Sequence, residues 1–219
     1  MKPFEKFTAS VERVLANSIS NQMPDRGPAP TIHLGDARKL PIASDSINLV
    51  LTSPPYLNAI DYLRCSKFSL VWMGESVNGL RKVRADSVGA ESARDSMAED
   101  AEVNGVMEAM KLKPKLSSKN ERILARYIDD MRGALSEVGR VLDRKGKAIY
   151  VVGENTVRGT YIRNSTVVCE VAKLAGLTLD SRRTRTLPAN RRYMPPPAAH
   201  SGSMDARMRR EVVLTFRKR

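Results

Sequence analysis

Apolar residues recur at helical spacing in four segments of this chain, over residues 4–20, 58–73, 120–142 and 165–175. Spacings of three and four residues place such side chains on one face, so each segment is predicted to be an amphipathic helix. Residues 21–30 contain three prolines and a glycine and are predicted to form a loop. The remaining regular segments are shorter.

Four of these shorter segments have the apolar, β-branched composition of strands, namely residues 46–52, 147–152, 177–181 and 211–217, and residues 31–34 form a shorter run of the same type. The segment 46–52 is mostly apolar and β-branched and predicts a central parallel strand buried on both faces. Residues 143–146 are predicted to be a turn. Because helices and strands alternate, we predict an α/β fold with a mostly parallel sheet and an antiparallel C-terminal edge.

Residues 75–118 interrupt this alternation. They are rich in Ser, Gly, Arg, Asp and Glu and have weak periodicity, so we predict a flexible insertion with short helical pieces, one of them around residues 98–111. The length of 219 residues fits one domain of ordinary size, and we assign residues 1–219 to a single domain.

The charge of the chain points to a polyanionic partner. Lys and Arg number 37 against 24 Asp and Glu, which gives a net charge of +13. Residues 182–219 hold 11 basic and 2 acidic side chains, so this segment alone carries +9. Because arginines bind phosphates bidentately, we predict nucleic-acid contacts here; a solvated, nonspecific basic tail is the alternative. The candidate residues are Arg182, Arg183, Arg185, Arg191 and Arg192.

Several classes of protein are excluded by composition. No apolar run approaches the roughly 18 residues of a membrane-spanning helix, and the N-terminus is too polar for a secretory signal, so a cytoplasmic location is predicted. Cys65 and Cys169 lie far apart in apolar segments and are predicted to be buried, reduced thiols. Neither they nor His33 and His200 have the spacing of metal ligands, and no metal site is predicted.

The most informative residues, Thr52-Ser53-Pro54-Pro55-Tyr56, directly follow a predicted buried strand, where open α/β sheets bind their ligands. The prolines fix the backbone, so the Pro54 carbonyl and Ser53 hydroxyl can together accept both hydrogens of an exocyclic amino group. This draws the nitrogen lone pair out of conjugation and makes it nucleophilic toward a methyl donor. Tyr56 offers a flat face to an extruded base. We interpret Ser53, Pro54, Pro55 and Tyr56 as catalytic; a rigid turn is the alternative.

This motif resembles motif IV of the amino-methylating DNA methyltransferases, which use S-adenosylmethionine. Its serine form is similar to the cytosine enzymes more than to the adenine enzymes. The loop Gly35-Asp36-Ala37 resembles the acidic loop that meets the cofactor's adenine, and residues 147–153 resemble the fifth strand. The resemblance covers residues 31–217 and implies a partial, Rossmann-like class I sheet and site-specific methylation of DNA, as in restriction-modification systems. It also implies cofactor contacts at Asp36, Ala37 and Ser53, although an Asp after a strand is also common as a plain turn residue. RNA is the alternative substrate.

The departure from this family is equally informative. Its members carry a glycine-rich cofactor loop after the first strand and an acidic residue after the second, and this sequence has neither. The chain therefore resembles the second half of a methyltransferase. A truncated gene, a two-chain enzyme and a circularly rearranged relative are the three explanations, and the last is the weakest. We expect weak binding of S-adenosylmethionine by the isolated chain; a noncatalytic nucleic-acid-binding subunit is the alternative function.

Other polar residues lie close to the motif in sequence or follow the next strand. Asn58, Asp61 and Tyr62 come within one or two helical turns of it, and Glu154 and Asn155 follow the strand at 147–152. Asn58 is predicted to contact nucleic acid. The others fit the rim of a base pocket or, equally, a helix start and a polar loop.

Overall fold

The computed structural model describes residues 3–17, 29–57, 62–90, 100–112, 116–157, 160–188 and 210–218. The chain divides into two compact units, Met1–Leu34 and Gly35–Arg219. The first contains one described helix, α1 (Pro3–Ala16), as its apolar spacing predicts. The other described elements belong to the second unit: β1 (Ile47–Thr52), α2 (Tyr62–Trp72), α3 (Val77–Asp86), α4 (Ala101–Ala109), α5 (Ser118–Val141), β2 (Leu142–Gly153), β3 (Asn155–Val157), β4 (Thr160–Ile162), α6 (Asn164–Leu174), β5 (Leu177–Thr186) and β6 (Arg210–Lys218).

Four strands form one sheet in the order β1-β2-β6-β5. β1 and β2 pair in parallel, whereas β6 runs antiparallel to both of its neighbours, β2 and β5. It follows that β1, β2 and β5 point in the same direction. The predicted α/β class is confirmed, with mostly parallel strands and antiparallel pairing at the C-terminal side. β6 lies between β2 and β5, so β5 is the outer strand there. β3 and β4 form a separate antiparallel pair.

The core forms where α5 and α6 pack against each other and against β2. On α5, Tyr127, Ile128, Met131 and Leu135 are buried at the spacing that predicted the helix. On the sheet, the rings of Tyr150 and Phe216 meet edge to face, with centroids 5.9 Å apart. These contacts anchor α5 and β2, two of the elements that contact the candidate site.

One of the two predicted buried thiols can be located in this core. Cys169, on α6, is free and buried, as predicted, and burial raises the pKa of its thiol. The side chain of Cys65 lies outside the described part of the chain. Cys169 is therefore protonated at neutral pH and acts as a small apolar side chain.

The prediction that β1 is buried on both faces is wrong. Leu49 and Leu51 are 56% and 68% exposed, because β1 pairs with β2 alone among the described strands. The predicted strand at residues 31–34 does not form either; Ile32 is 92% exposed, and no described strand pairs with this segment. A strand needs a partner for its main-chain polar groups, and apolar composition does not reveal whether one is present.

The residues predicted as a turn, 143–146, lie within β2 and do not connect two elements. The pairing with β1 shifts register there, because Ile47 pairs with Leu142 and Leu49 with Lys147, so residues 143–146 form a bulge in the strand. Gly146 is the last residue of this bulge. A Cβ atom at this position would lie 2.9 Å from the main-chain oxygen of Ile47, so glycine lets β1 and β2 approach closely.

Residues 75–118 contain two capped helices. Ser76 accepts from the Gly79 amide ahead of α3, and Asp100 accepts from the Val103 amide ahead of α4. The guanidinium of Arg132 lies 2.8 Å from Asp100 and attaches α4 to α5. The flexibility of this insertion and the single-domain assignment stay predictions. In the described residues, no helix is both long enough and apolar enough to cross a membrane.

Candidate active site

The segment 53–57, which we call the S-P-P-Y loop, lies at the carboxyl end of β1, where two prolines end the strand. The Ser53 hydroxyl donates to the main-chain oxygen of Val151, on β2, at 3.0 Å. Ser53 Oγ also lies 3.2 Å from the phenol oxygen of Tyr56. Because the one proton of Ser53 goes to Val151, Tyr56 is the donor in this second contact. Ser53 therefore has only acceptor capacity left.

Buried side chains hold the other end of the S-P-P-Y loop. The phenol of Tyr127, on α5, donates to the Pro55 oxygen at 2.9 Å, and Asn155 Nδ2 donates to the Leu57 oxygen. The side chains of Leu57 and Tyr127 are inaccessible to solvent or nearly so. Burial, followed by the nearby Tyr56 and Glu154, raises the pKa of Tyr127. The phenol therefore remains a donor over the whole physiological range.

Asn164, the first residue of α6, holds Asn155 in place. Its Nδ2 donates to Asn155 Oδ1 at 2.9 Å and to the Gly153 oxygen at 2.8 Å, and its side chain is fully buried. Between the fixed ends of the loop, the Pro54 carbonyl has no hydrogen-bond partner among the described residues. With respect to the described residues, the Ser53 hydroxyl oxygen and the Pro54 carbonyl are therefore two neighbouring acceptors that an incoming group can use.

Glu154, a predicted pocket residue, binds other residues of this chain. Its carboxylate accepts from the Ser165 hydroxyl and, at 3.3 Å, from the Ser165 amide at the start of α6. Arg182 donates to the same hydroxyl at 2.7 Å and lies 3.9 Å from Glu154. A carboxylate at a helix N-terminus is a favourable pairing with the free amides there. Glu154 and Arg182 thus join β2, α6 and β5 just beyond the S-P-P-Y loop.

The predicted nucleic-acid residues separate into different environments. On β5, Arg183 is exposed, whereas Arg185 lies directly opposite Glu211 and 2.6 Å from its carboxylate. Arg182 is half exposed and points toward α6, as described above. Asn58, Arg191 and Arg192 lie outside the described residues. Three of the predicted nucleic-acid arginines lie in the described part of the chain. Among these three, only Arg183 forms no ion pair with another described residue.

The predicted cofactor residue Asp36 is held by Arg38. Its carboxylate accepts from the Arg38 amide at 2.8 Å and from the guanidinium at 2.7 and 3.0 Å, and these contacts lower the pKa of Asp36. Arg38 continues to Asp130, buried on α5, at 2.5 Å. Ala37 is exposed in the turn between them. The acidic loop is therefore fixed by α5, although half of the Asp36 side chain remains accessible.

A further contact connects the Asp36 loop with the S-P-P-Y loop. Asp130 accepts from the Gly89 amide at 3.4 Å. Gly89 has a φ of +76°, and a Cβ atom there would lie 3.5 Å from the Tyr127 ring and 3.8 Å from Pro55. A non-glycine residue at this φ is strained. The turn after α3 thus covers Tyr127 and Pro55 while Asp130 holds it in place.

The sequence did not reveal Tyr127, Asn164 or Arg38 as site residues. Tyr127 lies on the apolar stripe of a predicted helix, where a tyrosine is typical of the core. Asn164 and Arg38 belong to no motif, and their roles depend on partners about 10 to 90 residues away. Asn155 was singled out, and the structure places it beneath the loop; Asp61 and the side chain of Tyr62 lie outside the described part.

No model of a known protein family matches this chain, and no curated protein sequence matches it significantly. The chain is similar to a structure of TTHA0409 from Thermus thermophilus, named as a DNA modification methylase and complexed with S-adenosyl-L-methionine, with a TM-score of 0.42 and 17% identity. The match covers 85% of this chain and 54% of that chain. It is also similar to PvuII DNA methyltransferase, named as cytosine-N4-specific, with a TM-score of 0.43, 14% identity and coverage of 85% and 48%.

The chain spans about half the length of these solved structures. At these scores and identities, its function has to be argued from its own residues.

Proposed function

We propose that this chain is the amino-binding part of a DNA amino-methyltransferase, in which the S-P-P-Y loop takes the exocyclic amino group of an extruded base. The observation that carries the proposal is the hydrogen bond from Ser53 to the Val151 oxygen at 3.0 Å. It commits the only proton of Ser53 to the protein, so the Ser53 oxygen meets an incoming group as an acceptor. An amino group, with two hydrogens to donate, is the complementary partner.

The Pro54 carbonyl supplies the second acceptor. With one amino hydrogen on Ser53 Oγ and the other on the Pro54 oxygen, the nitrogen lone pair leaves conjugation with the ring and becomes nucleophilic. The half-buried ring of Tyr56 supplies the stacking face for the extruded base. Cytosine is the proposed base, because the serine form of the motif is similar to the cytosine enzymes. Methyl transfer to adenine, or to RNA, is an alternative outcome of the test below.

S-adenosylmethionine is the proposed methyl donor. The described residues include candidates for contacts with it, but they lack the glycine-rich turn that would bind its methionine part. Asp36, Ala37 and Ser53 are the residues that we propose border it. No glycine-rich turn between a strand and a helix occurs in the described ranges, and the Asp36 carboxylate already binds Arg38. The described residues by themselves therefore offer no complete site for the donor.

We propose that a second chain completes the donor site along β1. β1 has no strand on its outer edge among the described residues, and Leu49 and Leu51 are largely exposed there. Unpaired main-chain groups beside apolar side chains are what strand addition requires. A strand added here would run beside β1 and bring its own carboxyl or amino end next to the S-P-P-Y loop.

The test measures binding of S-adenosylmethionine by calorimetry and transfer of its labelled methyl group to DNA. Both are carried out on the chain alone and together with the product of the adjacent reading frame. We expect weak or no binding alone, and binding with transfer to cytosine in the pair. Ser53→Ala, which is expected to lower turnover without abolishing it, is the matched control variant. Absence of transfer with every tested nucleic acid and candidate partner would contradict the proposal.

Two observations favour a second candidate function, a noncatalytic nucleic-acid-binding subunit. The Asp36 carboxylate is occupied by Arg38, and the described residues lack a turn for the methionine part of the donor. This function predicts binding of extruded bases without S-adenosylmethionine binding in any combination of chains. The cytoplasmic location stays a prediction under both functions.

A further inference from the structure

Three buried polar side chains from different elements converge on the S-P-P-Y loop. Tyr127 comes from α5, Asn155 from β3 and Asn164 from α6, and each is at most 9% exposed. Tyr127 donates to the Pro55 oxygen and Asn155 to the Leu57 oxygen, whereas Asn164 donates to Asn155 and so supports the loop indirectly. A buried hydroxyl or amide without a partner costs about 1–3 kcal/mol. These residue types are therefore stable at these positions only while the loop keeps this conformation.

The contacts hold the loop from both sides of Pro54. On the first side Ser53 is fixed to the Val151 oxygen at 3.0 Å, and on the second side Pro55 is fixed to Tyr127 at 2.9 Å. The φ angles of Pro54 and Pro55 are fixed by their rings. With the neighbouring groups fixed as well, little freedom is left for the Pro54 carbonyl.

We propose that Tyr127, Asn155 and Asn164 are positioning residues that hold the Pro55 and Leu57 carbonyls inward, so that the Pro54 carbonyl is kept as the acceptor for the target amino group. The assignment rests on the proposed function. None of the three side chains needs to touch the base. They act through the loop, and Asn164 acts through Asn155, to whose Oδ1 it donates at 2.9 Å.

The test compares Tyr127→Phe with Tyr150→Phe in the full chain. Both substitutions remove one phenol oxygen from a tyrosine that is at most 3% exposed, but the Tyr150 ring packs on Phe216 in the core of the sheet. Hydrogen exchange is measured by mass spectrometry at the Tyr56 and Leu57 amides. We expect exchange about fivefold to tenfold faster in Tyr127→Phe, as the loss of one hydrogen bond predicts. We expect no change in Tyr150→Phe.

Turnover provides the second measurement. In the complete enzyme, Tyr127→Phe is expected to lower kcat by roughly tenfold to a hundredfold, as small misplacements of reacting groups do, with little change in DNA affinity. Tyr150→Phe is expected to retain kcat. Asn155→Ala, which removes the donor to the Leu57 oxygen, is expected to reproduce both effects if Tyr127→Phe folds poorly.

Equal exchange at the loop in the Tyr127 and Tyr150 variants would overturn the positioning role. So would faster exchange in Tyr127→Phe with an unchanged kcat. If the unsubstituted enzyme shows no methyl transfer at all, the proposed function fails, and the positioning of an amino acceptor fails with it. The exchange comparison then still shows whether Tyr127 holds the loop, so the two failures are distinguishable.

Discussion

The Ser53 hydroxyl donates to the main-chain oxygen of Val151, 3.0 Å away on the neighbouring parallel strand. This single contact determines the polarity of the candidate site. A serine whose proton is free can act as donor or acceptor, whereas the remaining capacity of Ser53 is that of an acceptor. The site is therefore suited to groups that bring hydrogens with them, and amino groups of nucleobases are such groups.

Replacing Ser53 with Ala is expected to lower turnover by roughly tenfold to a hundredfold, because the acceptor gains strength as charge develops on the amino nitrogen. DNA affinity should change little, since the contact matters mainly in the transition state. Single-turnover kinetics with saturating DNA measure this effect. A variant with normal turnover would show that Ser53 does not take the amino hydrogen.

Tyr56 is expected to act through its ring. Tyr56→Ala removes the stacking face and should weaken binding of an extruded base by about 1–3 kcal/mol. Tyr56→Phe keeps the ring and loses only the donor to Ser53 Oγ, 3.2 Å away, so its effect should be mild. Base-extrusion fluorescence compares the two variants directly. Abolished turnover in Tyr56→Phe would instead indicate proton transfer through the phenol.

Arg183 and Arg185 form a matched pair for testing the nucleic-acid surface. Arg183→Ala should reduce the slope of log affinity against log salt concentration by about one unit, as expected for one lost phosphate contact. Arg185 already pairs with Glu211 at 2.6 Å, so Arg185→Ala should reduce the slope less. Filter binding over a range of salt concentrations measures both. Equal slopes in the unsubstituted protein and in both variants would mean that other residues contact the phosphates, for instance Arg191 and Arg192.

Glu137, on α5, accepts a hydrogen bond from the Leu40 amide, four residues after Asp36. The stability that this contact contributes is expected to depend on pH. Hydrogen bonds from Arg140 and from the Leu40 amide lower the pKa of Glu137 from 4.5 to about 2. A lowered carboxyl pKa stabilises the folded state fully above pH 4.5, and this contribution is lost as the pH falls through about 2. Glu137→Gln should therefore be less stable than the unsubstituted protein at pH 6.

Denaturant titrations at several pH values measure this difference, which should narrow between pH 4.5 and about 2. Glu121→Gln, on the same helix but near its other end, is the control. A difference for Glu137→Gln that stays constant down to pH 2 would contradict the assigned role of the carboxylate.

Two helical glycines should respond oppositely to alanine. At Gly139, on α5, a Cβ atom would lie 2.6 Å from the main-chain oxygen of Ala175, so Gly139→Ala should destabilise the protein by about 1–3 kcal/mol. At Gly105, on α4, nothing lies within 4 Å, and Gly105→Ala should stabilise it by about 0.5–1 kcal/mol. Thermal unfolding measures both effects. A gain in stability at Gly139 would mean that α6 can move away from α5.

The sequence predicted those parts of the site that depend on local chemistry. The prolines after β1 end the strand wherever it lies, and the spacing of Ile128, Met131 and Leu135 defines a helix face without knowledge of its partner. The exposure of Leu49 could not be predicted in this way, because it depends on which strands are present beside β1. The role of Tyr127 depends on an oxygen 72 residues away, and no local pattern indicates it.

The supports of the S-P-P-Y loop are all distant in sequence. Ser53 binds an oxygen 98 residues later, and the amide of Asn155 binds one 98 residues earlier. The chain between these partners must close into a loop before either contact can form, and such long-range closure slows folding. At about 5–20 residues per second, the ribosome releases β1 roughly 5–20 s before β2. During that interval the main-chain groups of β1 have no strand to pair with, so this apolar segment is most open to pairing with other chains before β2 has been made.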